Sequence, residues 1–189
     1  MAPPAVAQHL YTADEFEELL SRPEYHDWHL ELLDGVIVEK LMSNEEHGLF
    51  ATLLPTELNL FFRLHPIGRV VVETRTRNLA DKRNVRQPDI SVFTDVNRPV
   101  SYRGAVPRLP DIAIEIKSPT DSYRKMRERA QYYLANGAQL VWLVFLEKRI
   151  IEVYTPDSEV DILTVGDVLT GGDVLPGFSV SLAQLFAQM

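Results

Sequence analysis

The order of helical and strand patterns along this chain predicts an α+β fold, an α/β sandwich with helices packed on a central mixed β-sheet. Three observations carry that expectation. Two capping-box signatures, Thr12 with Glu15 and Ser43 with Glu46, each precede apolar residues at helical spacing. Short alternating or apolar runs bounded by turn residues lie between and after them, as strands do. The resulting order is α, ββ, α, βββ, α, ββ, and no linker-like stretch divides it.

Each element has its own local reason. Residues 1–11, with Pro3 and Pro4, read as a short loose leader, and 12–189 as a single domain. After Thr12, Phe16, Leu19 and Leu20 form the apolar stripe of a short helix. Residues 30–33 and 36–38 flank Asp34-Gly35, the strongest short hairpin signal. Leu49, Leu53, Leu54, Leu58, Phe61 and Phe62 then mark a helix to about Leu64, which Pro55 is expected to kink or split. Residues 70–72, 89–93 and 111–117 read as strands. Ser118, Pro119 and Asp121 resemble a helix start, with Met126, Ala130, Tyr133 and Leu134 inward and Gly137 as the stop. A strand pair follows at 140–145 and 150–154, then a shorter strand near 161–165 and a terminal helix from about Leu182.

Composition bounds the function. The chain has 189 residues, 46% hydrophobic and 24% charged, which fits a folded domain. It has no cysteine, so a disulfide scaffold, a zinc ribbon and a thiol nucleophile are excluded. The N-terminus lacks a signal-peptide pattern, and the longest apolar run, 140–146, is far short of the roughly 20 residues a spanning helix needs. No membrane partner and a cytoplasmic location are therefore expected. A Gly-rich phosphate loop, H-E-x-x-H and G-x-S-x-G are all absent, which removes the ATPase, zinc protease and serine hydrolase readings. The net charge of −8 hides an asymmetry: residues 63–129 hold 15 of the 19 basic residues but 8 of the 27 acids, +7 against −15 for the remainder. A basic centre of this kind points to a polyanionic partner, with chance clustering of solvated arginines as the alternative.

The sharpest local pattern is Asp111-Ile112-Ala113-Ile114-Glu115-Ile116-Lys117. With a side-chain period of two, the three isoleucines share one face and Asp111, Ala113, Glu115 and Lys117 the other. In Pro88-Asp89-Ile90-Ser91-Val92, Asp89 lies opposite Ile90 and Val92. If the two strands pair, Asp89 and Glu115 converge on one hard divalent cation, and Lys117 can assist a water or stabilise developing charge. Spacing alone equally allows a solvated Glu–Lys ion pair.

Pro88-Asp89 followed by Glu115-x-Lys117 resembles the signature of the PD-(D/E)XK, restriction endonuclease-like superfamily. More specifically the chain resembles the Uma-two family of candidate endonucleases from about Thr12 to Phe186. The likeness includes Glu31-Leu32-Leu33-Asp34-Gly35, Ser43 with His47, Arg86-Gln87-Pro88-Asp89, the strand from Pro110 to Lys117 with the following Ser118-Pro119-Thr120-Asp121-Ser122, Tyr133-Leu134-Ala135-Asn136-Gly137-Ala138, Trp142-Leu143-Val144 and Leu175-Pro176-Gly177-Phe178. The resemblance implies an αβββαβ nuclease core and Mg²⁺-dependent cleavage of DNA, with Mn²⁺ able to substitute. It transfers metal binding to Asp89 and Glu115 and the catalytic lysine to Lys117. Glu31 matches an early acidic position that completes the catalytic set. His47, Arg86, Gln87 and Arg129 are the phosphate- or DNA-binding candidates it marks. Relatives commonly carry lysine where this chain has Arg129, which keeps the charge but cannot readily give up a proton.

The expected function is thus a Mg²⁺-dependent endonuclease acting on DNA, with a homodimer expected for cleavage of both strands. A non-catalytic nucleic-acid-binding or protein-interaction module on the same fold is the rival from another class. A carboxylate-pair hydrolase of a different substrate is a weaker third reading. Glu73 reads as an ion-pair partner of Arg75 or Arg77. The ring of His47, read blandly, faces solvent at a helix N-terminus.

Overall fold

A computed structural model describes residues 9–40, 43–157 and 159–189. Of the expected leader only 9–11 fall within the described residues. The centre is a six-stranded sheet in the spatial order β3 (Arg69–Val72), β4 (Ile90–Phe93), β5 (Ile112–Ile116), β6 (Leu140–Phe145), β7 (Ile150–Tyr154), β8 (Asp161–Leu163). Only β5 and β6 pair in parallel, and the other neighbours are antiparallel. A parallel pair needs a crossover, and helix α3 (Tyr123–Ala135) supplies it.

Helix α2 (Glu45–Leu64) covers one face of the sheet. Its Phe50, Leu54, Leu58 and Phe62 recur every fourth residue and pack with Ile90, Val92, Ile112, Ile114 and Trp142. Each such side chain contributes about 1.5–3 kcal/mol when fully buried. Helix α3 covers the other face, with Met126, Ala130 and Tyr133 against Ala113, Val141, Leu143 and Phe145. The sequence α2–β3–β4–β5–α3–β6 is the expected αβββαβ order around a mixed sheet.

A smaller apolar cluster joins α1 (Ala13–Leu20) to the hairpin β1 (Leu30–Leu33) and β2 (Val36–Glu39) through Phe16, Leu30, Leu32 and Val85. Thr12 and Glu15 close the predicted capping box on α1. Asp34 and Gly35 both adopt positive φ, 50° and 84°, as a two-residue hairpin turn requires. A Cβ at Gly35 would lie 3.1 Å from both Leu10 Cβ and the Tyr11 carbonyl oxygen, so glycine is needed for space as well as for φ.

Several expectations need correction. Pro55 does not split α2, which runs through it as one 20-residue helix with Pro55 buried. The proline removes a single N–H, and the apolar stripe on both sides holds the helix to the sheet. The N-cap of α2 is Asn44, whose side chain accepts from the His47 N–H, rather than Ser43. Both residues are good caps, and the backbone places only Asn44 within reach. Helix α3 starts at Tyr123 behind the Ser122 cap, while Ser118 to Asp121 form a separate turn in which the Ser118 N–H donates to the Asp121 carboxylate. The last β-hairpin, β9 (Val168–Gly171) with β10 (Leu175–Ser181), was not expected. Its register shifts between Leu175 and Ser179, which breaks the period of two that reveals a strand. Helix α4 (Leu182–Phe186) ends the chain as expected. Among the described residues no helix is long and apolar enough to cross a membrane.

Candidate active site

Strands β4 and β5 pair with Ile90 opposite Ile114, so Asp89, just ahead of β4, falls beside Glu115. Both carboxylates are buried. They meet at the carboxyl end of the parallel pair β5–β6, where an open α/β sheet forms its crevice. A cleft of about 620 Å³ opens there, lined among others by Lys40, Arg86, Asp89, Glu115, Lys125 and Arg129.

Asp89 is fixed from two sides. Its Oδ2 accepts from the Ile116 N–H at 2.7 Å and lies 3.3 Å from His47 Nε2. An ionised carboxylate only accepts, so His47 carries its proton on Nε2. The Lys40 ammonium lies 2.7 Å from Asp89 Oδ1 and supplies its counter-charge. Burial alone would push the Asp89 carboxyl up. The His47 hydrogen bond and the Lys40 charge outweigh it and hold the group well below the usual carboxylate range. His47 responds the other way, since its contacts with Asp89 outweigh burial and raise it.

Glu115 is held by α3. Tyr133 donates to its Oε1 at 2.5 Å and Arg129 to its Oε2 at 2.9 Å. Burial pushes its carboxyl up to about 7, with Arg129 opposing and the Asp89 charge adding to the rise. Arg129 also reaches Glu31 Oε2 at 3.4 Å, and Glu31 Oε1 accepts from the Gln87 N–H at 2.7 Å. Glu31 therefore braces the site through Arg129 and Gln87.

The structure brings Asp89, Glu115, Glu31, His47 and Arg129 together. Gln87 is adjacent as a buried strut, its side chain donating to Glu73. Arg86 lines the cleft with its guanidinium stacked 4.2 Å over the Tyr132 ring and donating to Asn84. Lys117 is not part of this set. Its ammonium lies 3.4 Å from Glu147 and donates to the Ser118 carbonyl, 5.3 Å above the Tyr123 ring. The ring of His47 is buried on Asp89 and does not face solvent. Glu73 pairs with Lys40 at 2.9 Å rather than with Arg75 or Arg77, which lie against Glu17 and Asp14.

Sequence reasoning missed Lys40. The signal was available in the hairpin register: Glu31 pairs with Val38, so Lys40, two residues further, falls on the face of Glu31. The charge asymmetry also reads differently in three dimensions. Acids of the flanks neutralise arginines of the basic centre, as Asp14–Arg77, Glu17–Arg75, Glu31–Arg129 and Glu152–Arg127.

The donor set fits a hard divalent cation in kind. Two adjacent buried carboxylates, Asp89 and Glu115, offer oxygen ligands. Among the described residues no group of three or more His, Asp or Glu is placed to hold a metal ion. A cation that keeps several waters, such as Mg²⁺, needs only one or two carboxylates.

A protein-family model described as "Putative restriction endonuclease", Uma2, matches residues 13–183, and the chain belongs to that family. No curated protein matches the chain. A crystal structure described as "a putative nuclease belonging to DUF820 from Anabaena variabilis" is 26% identical, with TM-score 0.78, covering 93% of this chain and 97% of that one. A DrdV–DNA complex is 15% identical, with TM-score 0.36, covering 75% of this chain and 13% of that one.

Proposed function

We propose that this member of the Uma2 family is an endonuclease that hydrolyses phosphodiester bonds in DNA with Mg²⁺, or Mn²⁺ in its place. The family and the nuclease neighbour support nuclease chemistry in general. One observation carries the finer reading: two buried carboxylates on adjacent strands line one cleft. Asp89 and Glu115 would hold the cation, which supplies Lewis-acid polarisation of the scissile phosphate when bound.

The chain's own residues prepare that site. The Ile116 N–H and His47 fix the direction of Asp89, and Arg129 with Tyr133 fix Glu115. Glu31 keeps Arg129 from swinging out. Arg86 and Lys125 place two cations on a cleft wall that also carries Asp34, Glu39, Asp121 and Glu128, so a phosphodiester backbone would be met at those two side chains. A two-fold dimer would present one such site to each strand of a duplex.

A second reading has an observation of its own. Lys40 and Arg129 already neutralise both carboxylates, as they would in a non-catalytic binding module on this fold. Plasmid cleavage with Mg²⁺ or Mn²⁺, wild type against D89A and E115A, separates the two. Cleavage by wild type that both variants lose supports the nuclease. No cleavage by wild type, with no Asp89-dependent Mn²⁺ uptake in calorimetry, supports the binding module, while equal cleavage by all three means contamination or a different site.

A further inference from the structure

The lysine that the site requires comes from a different strand from the one its motif suggests. Lys117 follows Glu115 at the signature spacing, but its ammonium is committed to Glu147 and the Ser118 carbonyl. Lys40, at the end of β2, is in the cleft instead. Its side chain is 13% exposed, and its ammonium donates to Glu73 Oε2 at 2.9 Å and to the Gln87 carbonyl at 3.0 Å. Its third oxygen neighbour is Asp89 Oδ1 at 2.7 Å, so this ammonium is held in the cleft directly against a candidate metal-binding carboxylate, where Lys117 is not. Arg129 does not offer the same point charge, since its guanidinium is a planar fork engaged by Glu31 and Glu115.

We propose that Lys40, and not Lys117, is the catalytic ammonium of this site, contacting the reacting phosphate or its attacking water. The inference rests on the nuclease reading above. In the hydrolysis a bond forms between the water oxygen and phosphorus while the ester oxygen–phosphorus bond breaks. The proton lost by the water and the proton gained by the leaving oxygen exchange with solvent, and Lys40 keeps all of its own. Its contribution is a compact point charge donating an N–H where negative charge develops, a geometry that a planar arginine fork does not reproduce, and Glu73 with Gln87 hold it there in advance.

The test compares K40M, K40R and K117M with wild type in Mg²⁺-dependent plasmid cleavage, alongside Mn²⁺ calorimetry and thermal melting. The expected result is a loss of about 100-fold or more in K40M, and a smaller loss in K117M. K40R, which keeps charge beside Asp89, should melt and bind Mn²⁺ like wild type and still cleave poorly. That combination separates a catalytic group from a counter-charge. Wild-type cleavage by K40R would reduce Lys40 to charge balance and overturn the proposal. So would cleavage by K40M within about threefold of wild type, or a larger loss in K117M than in K40M. If wild type itself is inert while holding Mn²⁺, the nuclease reading fails first and takes this assignment with it.

Discussion

Asp111 and Glu115 stand at opposite ends of β5, on the same face by the period of two, and both are buried. Their surroundings differ in one respect. Asp111 is saturated: it accepts from the Thr94 N–H at 2.8 Å, the Thr94 hydroxyl at 3.0 Å and Gln139 at 3.3 Å, and Arg108 pairs with it. Asp111 does not line the cleft on which Glu115 opens. At the other end Glu115 and its neighbour Asp89 are held just as firmly, yet both residues line a cleft of about 620 Å³. Burial and charge are common to both ends. Paired carboxylates beside open volume mark the end suited to chemistry.

The difference can be tested from its largest expected effect downward. R129A should cost about 3–5 kcal/mol in urea unfolding, because it removes the ion-pair partner of buried Glu115 and Glu31. A cost under about 1 kcal/mol would mean that the carboxylates at this end are protonated or hydrated, and the contrast with Asp111 would collapse.

Next in size is a pH effect confined to the Glu115 end. Its folded carboxyl is raised from 4.5 to about 7, so its contribution to stability is complete below 4.5 and is lost as pH rises through about 7. Asp89, held low, acts in the opposite sense and loses its contribution as pH falls below its ordinary 3.8. Metal-free wild type should therefore lose on the order of 3 kcal/mol through Glu115 between pH of about 4.5 and 8, and E115Q should keep only the smaller decline above 6.5 that His47, also raised, contributes. Unfolding curves in the presence of chelator measure both. A parallel decline in E115Q would assign the effect elsewhere.

D111N should cost about 2 kcal/mol and leave Mn²⁺ binding at wild-type affinity, since it disturbs only the saturated end. Loss of Mn²⁺ binding at temperatures where the variant is folded would show that the two ends are coupled. The smallest effect, about 1 kcal/mol, is expected for T94A, which removes one of the donors to Asp111 and keeps the backbone one.

Much of this molecule was legible from local sequence, and the reasons are specific. Thr12 with Glu15, Asp34-Gly35 and the alternation around Asp89 and Glu115 are each decided within a few residues, and each element forms where expected. What was not legible depends on distant partners. Whether Ser43 or Asn44 caps α2 is decided by how the helix docks. Lys117 has the right spacing, but Glu147 and Tyr123 lie near it only after β6 and α3 are in place. Lys40 lies outside the basic segment and gains meaning only through Glu73, Gln87 and Asp89. The hairpin β9–β10 was hidden by Gly, Pro and a bulge, which blur strand periodicity.

The Ile116–Asp89, His47–Asp89 and Arg129–Glu31 hydrogen bonds join residues 27, 42 and 98 positions apart. Each closes a long loop before it brings any gain, so these contacts are late events in folding. During synthesis a chain that has not yet released Arg129 from the ribosome lacks the brace on Glu115. The brace thus forms only once α3 has joined the β1–β2 hairpin, so the ordered cleft belongs to the finished fold and not to any part of it.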